Sequence, residues 1–329
     1  MKKIVVAPDS FKGSLTSAEV ADAVERGIKD VFPQCNVVKA GVADGGEGTV
    51  EAIVKAVGGD MYAASVTDPL GRPVKATYGI VRSGGVKTAV MEMSAASGLP
   101  LLLPDELNPW ITSTYGTGEM ISDALNRGCR KFLVGIGGSA TNDAGTGMLS
   151  ALGVRFLDSS GQRLKGCGRD LESIARIDMS SLIPAARESE FIVACDVNTP
   201  FCGPDGAARV FAPQKGANPQ TAEALDRGMR SFAGVIAGQF QTDIVPLSGA
   251  GAAGGLGGAF KAFLNARLTA GIEMVLDAIA FDSLLEGADL VITGEGRIDA
   301  QTAAGKTAAG VLRHAARKGI PVIAIGGSV

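Results

Sequence analysis

Charged side chains stand directly after three short apolar runs, in Pro8–Thr16 (PDSFKGSLT), Ala43–Thr49 (ADGGEGT) and Gly294–Asp299 (GEGRID). If those runs are neighbouring parallel strands, the loops collect on one sheet edge, where open α/β sheets bind their ligands. Asp9, Lys12, Asp44, Glu47, Glu295, Arg297 and Asp299 would then converge, with carboxylates to move protons and cations to hold an anion. Asp and Gly also favour turns and caps on their own account. The weight therefore lies on the recurrence of the pattern in three loops. A fourth stretch, Gly135–Gly147 (GIGGSATNDAGTG), follows the apolar Phe132–Val134. Glycine-rich backbone opening into a helix points several N–H groups at one spot, with the helix dipole behind them. Ser139 and Thr141 add hydroxyl donors, and Asn142 and Asp143 suit the surroundings of a magnesium-bound phosphate. A closely packed helix cap would use the same residue types.

Ser248–Phe260 (SGAGAAGGLGGAF) carries the pattern G-x-G-x-x-G at Gly249, Gly251 and Gly254. A dinucleotide fingerprint needs a strand before it, a helix after it and an acidic residue about 20 positions on. Here Pro246 interrupts the preceding run, the glycines continue through Gly258, and Glu273 falls in a segment that reads helical. A nicotinamide or flavin site is thus the weaker reading. Gly305-Lys306-Thr307 ends like a P-loop, but its first glycine would fall on Ala300. Asp196 closes the apolar EFIVA run, a common place for a catalytic carboxylate, and Lys215 sits in the turn PQKG. Either could equally be a solvated turn residue. The single histidine, His314, ends a helical pattern and reads as an ordinary residue favoured by the helix dipole. Proton transfer then falls to carboxylates and lysines.

The elements that must position these groups change character along the chain. Lys3–Ala7 is a buried-strand run. Thr16 and Glu19 form a capping box, after which Val20, Val24, Ile28 and Val31 share one helical face. A strand from Asn36 and a helix over 47–57 complete a β-α-β-α opening, the mark of a parallel, helix-covered sheet. Met61–Met93 reads instead as strands joined by turns at DPLGRP and SGG. Helix and strand alternate again through 118–136, a strand follows at Glu190–Ala194 and a long helix at 219–238. Ala288–Thr293, a helix over 305–317 and Pro321–Ile325 restore the opening pattern. The expected architecture is a discontinuous Rossmann-like α/β domain, residues 1–60 and 286–329, with a mixed α/β domain, 61–285, inserted between. The active site is expected in the cleft between them. Two consecutive domains split near residue 150 are the alternative. GGSV follows an apolar strand where a βα unit would continue, so either an element is missing there or the sheet ends on an edge strand.

Length and composition agree with two domains. The 329 residues are 46% hydrophobic but only 5% aromatic, so the core must be aliphatic. A net charge of −3 with interspersed signs, and no basic stripe, speak against nucleic acid. Five cysteines without a C-x-x-C suit reduced thiols. No run reaches membrane-spanning length and no signal-peptide core is present. A soluble cytoplasmic protein is expected.

APDSFKGSLT, ADGGEGT, DPLGRPV, GGSATNDAG, ACDVNTP, FAPQKGA, GAGAAGGLG and ADLVITGEGRIDAQTAAGK, in this order, resemble the type 1 glycerate kinase family from end to end. The resemblance implies two α/β domains and ATP-dependent phosphorylation of D-glycerate, at the 2-hydroxyl in bacterial members, in glyoxylate and sugar-acid breakdown. Ala144 stands where the family more often has glycine, Thr199-Pro200 where an NP pair is usual, and family members extend beyond the GGS strand. In-line phosphoryl transfer needs an anion cradle, charge neutralisation and a base near the attacking hydroxyl. Gly137, Gly138, Ser139, Thr141 and Asn142, with Gly249, Gly251 and Gly254, are the expected nucleotide contacts. Ser10, Lys12, Arg72 and Lys215 are expected at the acid or the transferred group, Lys12 also acting in catalysis. Asp44 or Asp196 is expected as base, and Asp143 at Mg²⁺. A dinucleotide oxidoreductase and a non-catalytic small-acid binder remain as competing functions, and oligomeric state is unreadable.

Overall fold

The computed structural model describes residues 1–11, 13–83, 85–298 and 307–328. The chain divides into two compact units, Met1–Gly59 with Thr269–Val329, and Asp60–Leu268.

The first unit is built on a four-stranded parallel sheet. Its strands are β1 (Lys3–Pro8), β2 (Asn36–Lys39), β11 (Leu290–Glu295) and β12 (Val322–Gly326), in the order β12-β11-β1-β2. The helix Ser17–Val31 connects β1 to β2, and the helix Thr307–Arg317 leads from β11 to β12. The first of these helices starts where the capping box requires. Thr16 Oγ1 accepts from the Glu19 N–H, and the Glu19 carboxylate accepts from the Thr16 N–H. Its Ala21 and Ile28 pack on Ile4, Val6, Leu290 and Ile292. Residues alternate across a strand, so Val5, Ala7, Val291 and Thr293 face the other way.

The two connections run outward in opposite directions from the central pair β1 and β11. With right-handed crossovers, their helices cover opposite faces, which makes the gap between β1 and β11 the topological switch point of this sheet.

The second unit holds a six-stranded mixed sheet. It consists of β3 (Gly59–Thr67), β4 (Pro73–Ser83), β5 (Val86–Glu92), β6 (Lys131–Gly135), β9 (Glu190–Ala194) and β10 (Arg267–Thr269), in the order β10-β9-β6-β5-β4-β3. β4 and β5 form an antiparallel pair, as the turn chemistry around Ser83 predicts. β5, β6 and β9 are parallel neighbours, so the loops that leave them open on one edge. A separate antiparallel pair, β7 (Arg155–Leu157) and β8 (Arg176–Asp178), lies apart from that sheet. One hydrophobic core runs from Ala64 to Ala266 and includes Phe132, Phe191 and Phe260. Phe132 stacks on Phe191 at 4.7 Å between ring centroids.

Candidate active site

In the second unit, four of the sequence motifs meet beyond the carboxyl ends of β6 and β9. The loop after β6 turns at Gly137 and Gly138, both exposed, with Gly138 at φ +71°. Among the described residues, the N–H groups of these two glycines make no hydrogen bond. The loop then dives inward, and residues 139–147 are buried. Beneath it lies Lys215, only 1% exposed. Its ammonium donates to Ser139 Oγ at 2.6 Å and to the Thr141 carbonyl at 2.7 Å. Burial drags the Lys215 pKa down to about 7, against a smaller upward pull from Asp143. A lysine expected in a solvated turn or at a substrate acid is thus the internal support of the loop. Thr141 Oγ1 and Asn142 Oδ1 are also buried and have no hydrogen-bond partner among the described residues.

Asp143 is fully buried, and its carboxylate is held by several donors. It accepts from Thr114 N at 2.7 Å, Thr114 Oγ1 at 2.8 Å, Gly145 N at 3.0 Å and Gly147 N at 3.2 Å. Burial pushes its pKa up, and these donors pull it back. The helix Thr146–Ala151 therefore receives a negative charge at its start from Asp143 itself, which weighs against the expected phosphate and Mg²⁺ contacts there.

In the GAGAAG stretch the dinucleotide pattern, the weaker reading, fails. Residues 242–247 form no strand, so the dinucleotide pattern lacks its first element. A Cβ on Gly249 would stand 2.7 Å from Cys195 Sγ, one on Gly251 2.2 Å from the Pro200 carbonyl oxygen, and one on Gly254 2.2 Å from that of Thr141. These three glycines let the segment press against the loops after β6 and β9. Ala144 N donates to the Gly254 carbonyl at 2.9 Å, Gly251 N to that of Thr199 at 3.0 Å, and Ser248 Oγ to Asn198 Oδ1 at 2.7 Å. Close packing requires glycine at these three positions, and the segment wedges against both loops. Asp196, at the mouth of the β9 loop, is exposed. Arg72 is committed elsewhere in this unit. Its guanidinium meets Asp68 at 2.6 Å and Glu106 at 2.5 Å.

In the first unit the expected loops do leave the carboxyl ends of the parallel strands. Asp9 follows β1 and is 9% exposed. It accepts from Ser10 N at 2.6 Å and from Thr307 Oγ1 at 2.5 Å, which ties the β1 loop to the start of the last described helix. Ser10 is half-buried beside it. Asp44 is half-buried after β2 and accepts from Gly46 N at 3.1 Å. Its carbonyl lies so close to Gly271 that a Cβ there would stand 1.9 Å away. The helix Gly271–Ala278 thus props the Asp44 loop. Lys12, Asp299 and Lys306 lie outside the described residues. Among the described residues, no group of three or more His, Cys, Asp or Glu side chains could hold a metal ion.

His314 does more than end a helix. It is buried, with Nδ1 2.8 Å from Asp282 and Nε2 3.0 Å from Glu273. A lone histidine followed by basic residues gave no sign of this, because both partners are distant in sequence. The buried Glu295, at the end of β11, was visible as a carboxylate after an apolar run, but nothing in the sequence separated it from its neighbours.

Comparison with known proteins decides the family. The model for the glycerate kinase family matches residues 4–329. The chain belongs to the glycerate kinase family. Glycerate kinase of Bacillus subtilis (strain 168) is 50% identical, over 99% of this chain and 85% of that protein. Glycerate 2-kinase of Escherichia coli K12 is 46% identical, over 99% and 85%. A solved structure of a Salmonella typhimurium LT2 protein, provisionally described as glycerate kinase 2, superposes with a TM-score of 0.94 at 48% identity. It is covered over 87% of its length and covers 99% of this chain. As a glycerate kinase family member the chain is a phosphotransferase, and a kinase draws on ATP. The oxidoreductase and the non-catalytic binder find no support. No described helix is long and apolar enough to cross a membrane.

Proposed function

We propose that this chain transfers the γ-phosphoryl group of ATP to the 2-hydroxyl of D-glycerate, yielding 2-phosphoglycerate for the breakdown of glyoxylate and sugar acids. The 2-hydroxyl follows the relative described as glycerate 2-kinase. The observation that carries the reading is the pair of unbonded amides at the exposed Gly137 and Gly138, in a loop that the buried ammonium of Lys215 supports at Ser139. Open N–H groups backed by a positive charge are what a phosphate requires. Ser139, Thr141 and Asn142 shape that cradle from inside. Ser10 and Lys12, in the loop after β1, are the proposed contacts for the glycerate carboxylate. Arg72 would have to leave Asp68 and Glu106 to join them. Asp44 or Asp196 takes the proton of the attacking hydroxyl.

A coupled ADP-release assay with ATP, Mg²⁺ and D-glycerate tests the activity, and NMR of the product identifies the phosphorylated oxygen. Replacing the true base by Asn is expected to cut turnover about 10²–10⁴-fold. Near-normal turnover in both Asp44→Asn and Asp196→Asn would remove both from that role. Absence of ADP release on glycerate would remove the proposed reaction.

A further inference from the structure

Glu295 ends β11 at the switch point of the first unit's sheet, and it is unlike the other acids there. It is 9% exposed, and its Oε1 is buried without a hydrogen-bond partner among the described residues. A buried carboxylate oxygen left without a donor is costly. Such an atom persists where something outside the chain satisfies it. Its surroundings say what kind of group that is.

β1 and β11 run in register, with Pro8 opposite Gly294 and the Asp9 N–H donating to the Gly294 carbonyl at 2.8 Å. Asp9 and Glu295 therefore leave adjacent strands at the same level. By strand alternation both belong to the face opposite Ile4, Val6, Leu290 and Ile292. The bond from Thr307 Oγ1 to Asp9 places the first turn of the helix Thr307–Arg317 on that face as well. A switch point is where a ligand enters an open α/β sheet. Asp9 accepts bonds from Ser10 and Thr307, whereas Glu295 presents an oxygen that no donor among the described residues meets. A hard divalent cation satisfies such an oxygen, and Mg²⁺ is commonly held by one or two carboxylates together with phosphate oxygens.

We propose that Glu295 is a protein ligand of the divalent cation that accompanies the phosphate groups of the reaction, bound at the β1–β11 switch point beside Asp9. This rests on the phosphoryl-transfer reading above and moves the cation away from Asp143, which is fully buried and accepts from Thr114, Gly145 and Gly147. When bound, the cation would neutralise phosphate charge. Glu295 fixes where that neutralisation takes place.

The test is an EPR titration of Mn²⁺ into the whole protein with ATP, for the wild type, Glu295→Gln and Glu295→Asp, with cooperative melting checked for each. The wild type is expected to hold Mn²⁺ in the ATP complex. Glu295→Gln should weaken that Mn²⁺ affinity by about 10-fold or more, the scale on which disturbed metal sites lose affinity. Calorimetry should show metal-free ATP binding unchanged. Glu295→Asp keeps the charge on a shorter arm and should fall between the two; it decides alone if Glu295→Gln does not melt cooperatively. Equal Mn²⁺ affinity in wild type and variants overturns the proposal. So does an equal loss of metal-free ATP binding, which would mark Glu295 as a structural residue. A wild type that holds Mn²⁺ with ATP yet never phosphorylates glycerate would sink the proposed function and leave this site standing. A wild type that phosphorylates glycerate while Glu295→Gln binds Mn²⁺ unchanged would sink this site alone.

Discussion

Lys215 is charged or neutral depending on what sits above it. Burial holds its pKa at about 7, so in the free protein the loop loses a positive charge as pH rises through neutrality. An anion at Gly137 and Gly138 favours the charged form and raises that pKa. For a rise of about one unit, linkage gives an advantage in anion affinity that shrinks about sixfold between pH 6.5 and 8.5. The ratio of ATP affinities, wild type over Lys215→Met, should therefore fall by that factor, as calorimetry at the two pH values would show. A flat ratio would separate Lys215 from the anion. Asp143 gives the complementary case. Asp143→Asn places an amide among donors that need an acceptor, and about 1–3 kcal/mol of stability should go with it. If urea denaturation showed no loss while the Mg²⁺ requirement changed, the metal role would return to Asp143. The positions of these residues were legible from their place after apolar runs, but their roles were not. Residue type announces a carboxylate or an ammonium, whereas Thr114 and Ser139, the groups that saturate or bury them, come from other parts of the chain.

At the level of elements, the GAGAAG segment and the loop after β6 are interlocked by backbone contacts, and two substitutions should move stability in opposite directions. Gly254 has φ +67° and no room for a Cβ. Gly254→Ala adds the left-handed penalty of about 1–2 kcal/mol to a clash with the Thr141 carbonyl. Ala144, on the facing loop, already has φ +51°. Ala144→Gly removes that penalty and should stabilise the protein by about 0.5–1 kcal/mol, the gain reduced by the greater freedom of glycine when unfolded. Chemical denaturation measures both. A Gly254→Ala protein of full stability that no longer binds ATP would show instead that the segment grips phosphate. The same elements show how far the sequence could be read. The opening helix was legible because the capping box of Thr16 and Glu19 is a local signal, and Glu190–Ala194 because an apolar run between polar residues is one too. The glycine wedge was not legible as a wedge. A motif defined by spacing cannot distinguish a backbone that approaches a phosphate from one that approaches Pro200 and Thr141.

For the molecule as a whole, the two units should answer pH with opposite signs. In the first unit His314 joins the helices Gly271–Ala278, Phe281–Leu284 and Thr307–Arg317 through Glu273 and Asp282, and Arg313 adds a bond to Glu273 at 2.7 Å. Burial pulls the His314 pKa down, but the bonds to Glu273 and Asp282 outweigh it and hold it above its ordinary 6.5. A pKa raised in the folded state contributes stability that is complete below about 6.5 and lost as pH climbs through the folded value. In the second unit the sign reverses. Lys215 titrates at about 7 when folded but near its ordinary 10.5 when unfolded, so between those values the unfolded chain binds more protons and stability rises with pH. Hydrogen exchange, expressed as protection factors so that intrinsic rates cancel, resolves the units separately. From about pH 6 to 8.5, protection over residues 271–284 and 307–317 should fall. Protection in the core strands Lys131–Gly135 and Glu190–Ala194 should hold or rise. His314→Gln should flatten the first response and leave the second, and Lys215→Met should do the converse. A common pH response in both units, unchanged by either substitution, would mean that neither buried group governs the stability of the unit it sits in.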